Sequence, residues 1–200
     1  TSRPTPRVSR PTEPGSRWRA WQPARLRVDA AEQTRAALGA GLGVLIAALL
    51  CRALASGSSP WLVAPLGASA VLVFAVPASP LAQPWSVVAG NTVSALVGVA
   101  CALLVPDPAW AAALAVALAI GTMFTLRCLH PPGGAMALLT ALGGVSHFGF
   151  ALFPAATNSL LLVAAGVAYN RATGRRYPHA PEAPAAPLPQ GAGFTEGDLD

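Results

Sequence analysis

The least ordinary stretch of this sequence is Arg127-Cys128-Leu129-His130-Pro131-Pro132-Gly133-Gly134-Ala135. Prolines at the start of a helix fix the entering chain and forfeit nothing, because first-turn N–H groups have no partner within the helix. The glycines that follow leave the amides of Gly133, Gly134 and Ala135 unshielded by side chains. Bare N–H groups at the positive end of a helix dipole suit a small anion. His130 stands beside that end; neutral, it could donate one hydrogen bond, and protonated it would add a full charge and couple anion movement to protons. The same side chain could instead be an interfacial histidine capping a turn. Arg127 is open to two readings as well, an attractor of anions at a pathway mouth or a guanidinium that snorkels to headgroups.

A second stretch begins alike: Pro65-Leu66-Gly67-Ala68-Ser69 offers the amides of Gly67, Ala68 and Ser69, with the Ser69 hydroxyl as a further donor. Sliding the chain by 67 residues pairs Pro65 with Pro132, Gly67 with Gly134, Ala68 with Ala135, Leu72 with Leu139 and Asn91 with Asn158 without a gap. An internal repeat is the natural reading, since the matched prolines and asparagines are uncommon here. Asn91 and Asn158 lie inside apolar helices, where amides either glue helices together or line a polar pathway.

These residues need elements to position them. Turn signals cut the apolar stretch into six pieces, at 36–55, 61–76, 85–104, 109–127, 132–144 and 150–170. Pieces one, three, four and six have about 18 to 21 residues, enough at about 1.5 Å each to cross a hydrocarbon core of about 30 Å. Pieces two and five, if they start at their prolines, make helices of only about 17 to 18 Å, too short to span alone. The expected fold is therefore all-α: a polytopic transmembrane bundle of two long-short-long repeats, with four full spans and two short or broken helices. Three crossings per repeat would make six in all and orient the halves oppositely, as in many secondary transporters; short pieces that dip in and return would leave four. In the inverted version the two short-helix N-termini could face each other near midplane and cage an anion.

Composition agrees. Hydrophobic residues make up 54% of the chain and charged residues 10%, which excludes an ordinary soluble domain. From Ala36 to Asn170 the charged side chains are Arg52, Asp107 and Arg127 alone, whereas eight arginines crowd the first 35 residues. The formal charge of +5 comes without lysine, finger spacing or aromatic-basic repeats, so nucleic acid is not an expected partner. Arginine clusters at both ends place both termini in the cytoplasm by the positive-inside rule. Residues 1–34 read as a disordered Arg/Pro-rich tail with interfacial Trp18 and Trp21, 35–172 as the transmembrane domain (repeats about 36–104 and 109–170), and 173–200 as a disordered Pro/Ala-rich tail. Cys51, Cys101 and Cys128 lack metal or redox spacing and read as small buried hydrophobes. Gly39 and Gly43, and Gly90, Ser94 and Gly98, make smooth helix faces for packing.

The segment Leu129 to Ala135, with Ala64 to Leu72 and Val76 to Trp85, resembles the HPP family of integral membrane proteins, over about residues 35–170. The resemblance implies a small multispan protein, with some members linked to nitrite transport. The leading expectation is thus a transporter or channel for a small anion such as nitrite or nitrate, with His130, Gly133, Gly134, Ala135, Gly67, Ala68 and Ser69 at the site and Asn91, Asn158 and Arg127 as pathway or packing groups. A membrane enzyme would need an acid–base pair or metal cluster that His130, His147, Asp107 and the cysteines do not form by spacing, so neither catalysis nor a metal or cofactor is expected. A noncatalytic scaffold or accessory subunit is the alternative. Expected partners are the lipid bilayer, a small anion and, in a homo-oligomer, further copies of the chain. The arginine-only, alanine-rich composition points to a bacterial plasma membrane.

Overall fold

A computed structural model describes residues 28–55 and 61–179 as helices joined by short connections. The helices are α1 (Ala30–Leu54), α2 (Pro65–Ala75), α3 (Pro84–Leu104), α4 (Pro108–Thr125), α5 (Pro131–Leu142) and α6 (Thr157–Ala172). Proline occupies the first position of α2, α3, α4 and α5, where its ring starts a helix without breaking a hydrogen bond. Asp29 and Asp107 cap α1 and α4, their carboxylates accepting from Glu32 N–H and from Ala109 and Trp110 N–H. Ahead of α6 the segment Ala151–Ala156 is a broken turn in which Phe153 leaves helical geometry and Pro154 sits inside, where its missing N–H does interrupt the ladder. α1, α3, α4 and the combined Ala151–Ala172 segment are long and apolar enough to cross a membrane. α2, with 11 residues, and α5, with 12, are too short to do so as helices alone.

The ordered domain is longer at both ends than its sequence limits. α1 opens at Ala30, because Asp29 and Glu32 supply a cap, rather than after residue 34. Beyond α6 the chain stays packed as far as His179: the Tyr177 ring is buried and its hydroxyl donates to Ala82 O at 2.8 Å. The rest of both expected tails, with Trp18 and Trp21, lies outside the described residues.

Successive helices run in opposite directions, the short ones included. Near the start of α1, Arg35 donates to Phe74 O at the end of α2 and to Asn170 Oδ1 at the end of α6. Near the end of α1, Cys51 meets Asn158 at the start of α6, which also binds Val63 just ahead of α2. So α2 and α6 both descend against α1. α3 starts beside the end of α4, through Trp85 Nε1–H donating to Leu126 O at 3.1 Å, and runs parallel to α5, with Gly90 against His130 and Gly98 against Ala137 and Thr140. α2 and α5 therefore do not dip and return; each advances from one face toward the other.

The two halves carry the inverted repeat in their contacts. α1 packs on α2 and α6; correspondingly α4 packs on α5 and α3. α2 packs on α6 as α5 packs on α3, while α2 touches α5 and α3 touches α6. Exchanging the first three helices for the last three leaves this pattern unchanged. Three alternating elements per half give the halves opposite orientation, and both described ends meet on one side, where Glu32 pairs with Arg35 at 2.7 Å and Arg175 at 2.6 Å.

The bundle is polar inside and apolar outside. Ser69, Asn91, Ser94, His130, Thr140, Asn158, Ser159 and Asn170 are fully buried, whereas Leu38, Leu45, Leu104, Leu118, Phe124 and Leu160 are exposed. Water would penalise that surface and hydrocarbon does not, so the fold is that of an integral, multi-pass membrane protein in contact with lipid.

Candidate functional site

At the centre of the bundle a buried polar chain joins both halves. His130 is the N-cap of α5, in extended conformation, and Cys128 and Leu129 lead its ring under α3. Its Nδ1 lies 2.8 Å from Leu81 O and its Nε2 lies 2.8 Å from Ser69 Oγ on α2. A carbonyl can only accept, so Nδ1 carries the hydrogen and the Nε2 of the neutral ring accepts from the Ser69 hydroxyl. Ser69 Oγ in turn accepts from Asn91 Nδ2 at 3.2 Å, and the other Asn91 N–H donates to Ser159 Oγ at 3.0 Å. Ser159 passes its proton to Ala155 O at 2.9 Å. The chain thus runs Leu81, His130, Ser69, Asn91, Ser159, Ala155, crossing α5, α2, α3 and α6 in turn.

Close helix approach makes this junction. A side chain at Gly133 would strike Ser94 Oγ and Met123 Sδ, and one at Gly90 would strike the Cys128 carbonyl and His130 Cβ. Gly133 is thus a contact between α5 and α3, and its N–H turns back to His130 O at 2.8 Å. On α2, Gly67 N–H turns back to Ala64 O at 3.1 Å. Gly67, Ala68 and Ala135 are exposed and Gly134 is half-buried, on the flank where α2 and α5 meet. There an open groove of about 550 Å³ is lined by Ala64, Pro65 and Ala68 from one side and Leu138, Leu139 and Leu142 from the other. The start of α2 therefore lies beside the later turns of α5, and the two N-termini pass each other instead of meeting tip to tip. The reason is Ser69: held on His130, it sets the second turn of α2 level with the N-cap of α5.

The paired asparagines have different duties. Asn158 Oδ1 accepts from Val63 N–H at 3.1 Å, and its Nδ2 donates to Trp61 O at 3.0 Å and toward Cys51 Sγ at 3.0 Å. It ties down the extended strand before α2, while Asn170 Nδ2 holds Val73 O at 3.1 Å at the far end. Asn91 ties hydroxyls together, and among the described residues its Oδ1 is the buried side-chain oxygen with no hydrogen-bond partner. Arg127 is exposed in the α4–α5 turn with φ 53°, away from the junction. His130, expected beside an anion or at the interface, is wholly buried.

Ser159 and the Leu81 carbonyl were not anticipated. Ser159 could have been found, since the 67-residue offset aligns it with Thr92, and the two hydroxyls bond equivalent carbonyls, Ala155 O and Val88 O. No side-chain type marks a carbonyl such as that of Leu81 in advance.

Comparison with known proteins bears on this arrangement. The family model described as HPP, transmembrane region, matches residues 25–178. A transmembrane protein of Dictyostelium discoideum is 37% identical over 171 residues, covering 81% of this chain and 55% of the relative. Another from the same organism is 39% identical over 145 residues, covering 68% of this chain and 51% of the relative. The chain spans about half the length of these relatives. No solved structure matches it. With the match running through every helix and through the His130–Pro131–Pro132 junction that gives the fold its centre, the chain belongs to the HPP family of integral membrane proteins.

Proposed function

We propose that this bundle is a transporter or channel for a small inorganic anion, with nitrite and nitrate as the candidate substrates. The observation that carries the reading is the contact of His130 with Ser69, which joins the two short helices at the centre of an inverted repeat. An ionisable side chain buried between membrane helices is costly and by default marks a solute or proton path. Gaining a proton would turn Nε2 from acceptor to donor; the Ser69 hydroxyl can then swing to Pro65 O, 3.3 Å away. That puts a full positive charge at the N-terminus of α5, beside Gly133, Gly134 and Ala135, where the helix dipole also favours an anion. Ser69 supplies the facing side, with Gly67 and Ala68 on the open flank next to it, while Asn91 lines the path, Asn158 packs it and Arg127 stands at its mouth.

The reading involves no catalytic step. It places the protein in a bacterial plasma membrane on its arginine-only composition, with both ends cytoplasmic on their arginine clusters, and it accommodates several copies side by side. Uptake of labelled nitrite or nitrate into proteoliposomes, above protein-free vesicles, is the test; folded protein that moves neither ion contradicts it.

A noncatalytic scaffold or accessory subunit is the second reading. It is favoured by the saturation of the resting junction, where both His130 nitrogens and the Gly67 and Gly133 amides already have partners. Gly134→Leu would then dissolve a partner complex without any transport to lose.

A further inference from the structure

The central polar cluster is one hydrogen short. Its donors are the His130 Nδ1–H, the Ser69 and Ser159 hydroxyls and the two Asn91 N–H groups, and each already has an acceptor: Leu81 O, His130 Nε2, Ala155 O, and the two serine oxygens. Among the described residues Asn91 Oδ1 is left without a donor although Asn91 is fully buried. Turning the amide over would take both N–H groups away from the serine oxygens that now accept them. Its repeat counterpart shows what this position takes when filled, since Asn158 Oδ1 holds the Val63 N–H at 3.1 Å. Leaving such an oxygen dry costs about 1–3 kcal/mol, so a ligand that brings its own hydrogen gains there.

We infer that Asn91 Oδ1 is a solute-binding atom, and that the substrate passes the centre of the bundle as a small neutral acid, the anion together with its proton. This rests on the transporter reading. A bare oxyanion carries only acceptors, and against Oδ1 two acceptors repel. Among the described residues the core also offers an anion no free countercharge while His130 is neutral: Arg52, Asp107, Arg127 and Arg171 stand exposed at helix ends, and Arg35 is paired with Glu32. The titratable groups on the elements packed against α3 are His130 ahead of α5, Cys128 beside it, Tyr169 and Arg171 on α6, and Tyr177 after it; Cys101 shares α3 with Asn91. Of these His130 alone reaches Asn91, through one hydroxyl. The proton balance is simple: anion and proton combine in water on one side, cross joined, and separate on the other.

Proteoliposomes with a lumenal pH dye test this, with nitrite, whose conjugate acid is weak, compared with nitrate, the anion of a strong acid. After subtraction of protein-free vesicles, nitrite entry is expected to acidify the lumen by one proton per ion and to speed up about tenfold per unit of falling pH. Nitrate should do neither. Asn91→Leu should lose the proton-linked entry by about tenfold or more, and Asn91→Asp, which keeps an oxygen in place, should keep most of it. Nitrite and nitrate entering alike, with no lumenal acidification, would overturn the inference while leaving an anion transporter; Oδ1 would then hold a resident water only. Proton-linked entry unchanged in folded Asn91→Leu would also overturn it and assign the proton to His130. Entry of neither ion would remove the transporter reading itself.

Discussion

His130 Nε2 and Ser69 Oγ stand 2.8 Å apart in a site closed to solvent, and this contact fastens the second turn of α2 to the N-cap of α5. Ser69 is also the acceptor for Asn91, so one hydroxyl serves three helices. Ser69→Ala should destabilise the bundle by about 1–3 kcal/mol, because it leaves Nε2 and one Asn91 hydrogen buried without partners. Thermal unfolding in mild detergent measures the loss; a wild-type midpoint would mean that the hydroxyl bears no load.

The glycines divide into two kinds. Gly98→Leu must collide with Thr140 and the Ala137 backbone, so it should separate α3 from α5 and yield little monodisperse protein. Gly134→Leu meets nothing within 4 Å and should fold like the wild type. Size-exclusion profiles of the two purified variants check the contrast.

Asn158→Ala removes two contacts from the extended segment before α2, those with Val63 N–H and Trp61 O, and one from Cys51 on α1. The Val63 amide should then exchange with solvent faster, by roughly the ten- to hundredfold that about 1–3 kcal/mol implies, and Cys51 should react sooner with thiol reagents. The helix core of α3 should be unaffected in the same exchange experiment.

Arg127 closes α4 with φ 53°, a left-handed conformation that costs a residue bearing Cβ about 1–2 kcal/mol. Arg127→Gly relieves that strain and should raise the unfolding midpoint. A lower midpoint would show that the exposed guanidinium contributes more than its backbone costs.

Most of the architecture was legible because proline and hydrocarbon leave strong marks. Pro65, Pro84, Pro108 and Pro131 each open a helix, and the bare middle of the chain requires membrane spans. The repeat was legible in Asn91 and Asn158, which recur at the same offset. What the pattern could not convey was direction and depth. Identical amides at Asn91 and Asn158 carry no sign that one binds backbone and the other hydroxyls, since that depends on whether the strand beside each is held by another group. His130 is such a group: it docks on Ser69 and Leu81, and so it holds the strand that Asn91 would otherwise tie. Gly133 looked like an open amide and is instead a packing contact, because the sequence does not say which face of α5 meets α3. Tyr177 is set in a proline-rich stretch that carries no apolar periodicity, so the sequence does not mark its burial against Ala82.

Initial rates of nitrite uptake into proteoliposomes test the central claim most directly, with wild type compared against His130→Ala and against Leu118→Ala, a lipid-facing control on α4. The account predicts that His130→Ala, shown to be folded, falls by about tenfold or more toward the protein-free rate while Leu118→Ala keeps the wild-type rate. A folded His130→Ala protein that takes up nitrite as fast as the wild type would contradict it.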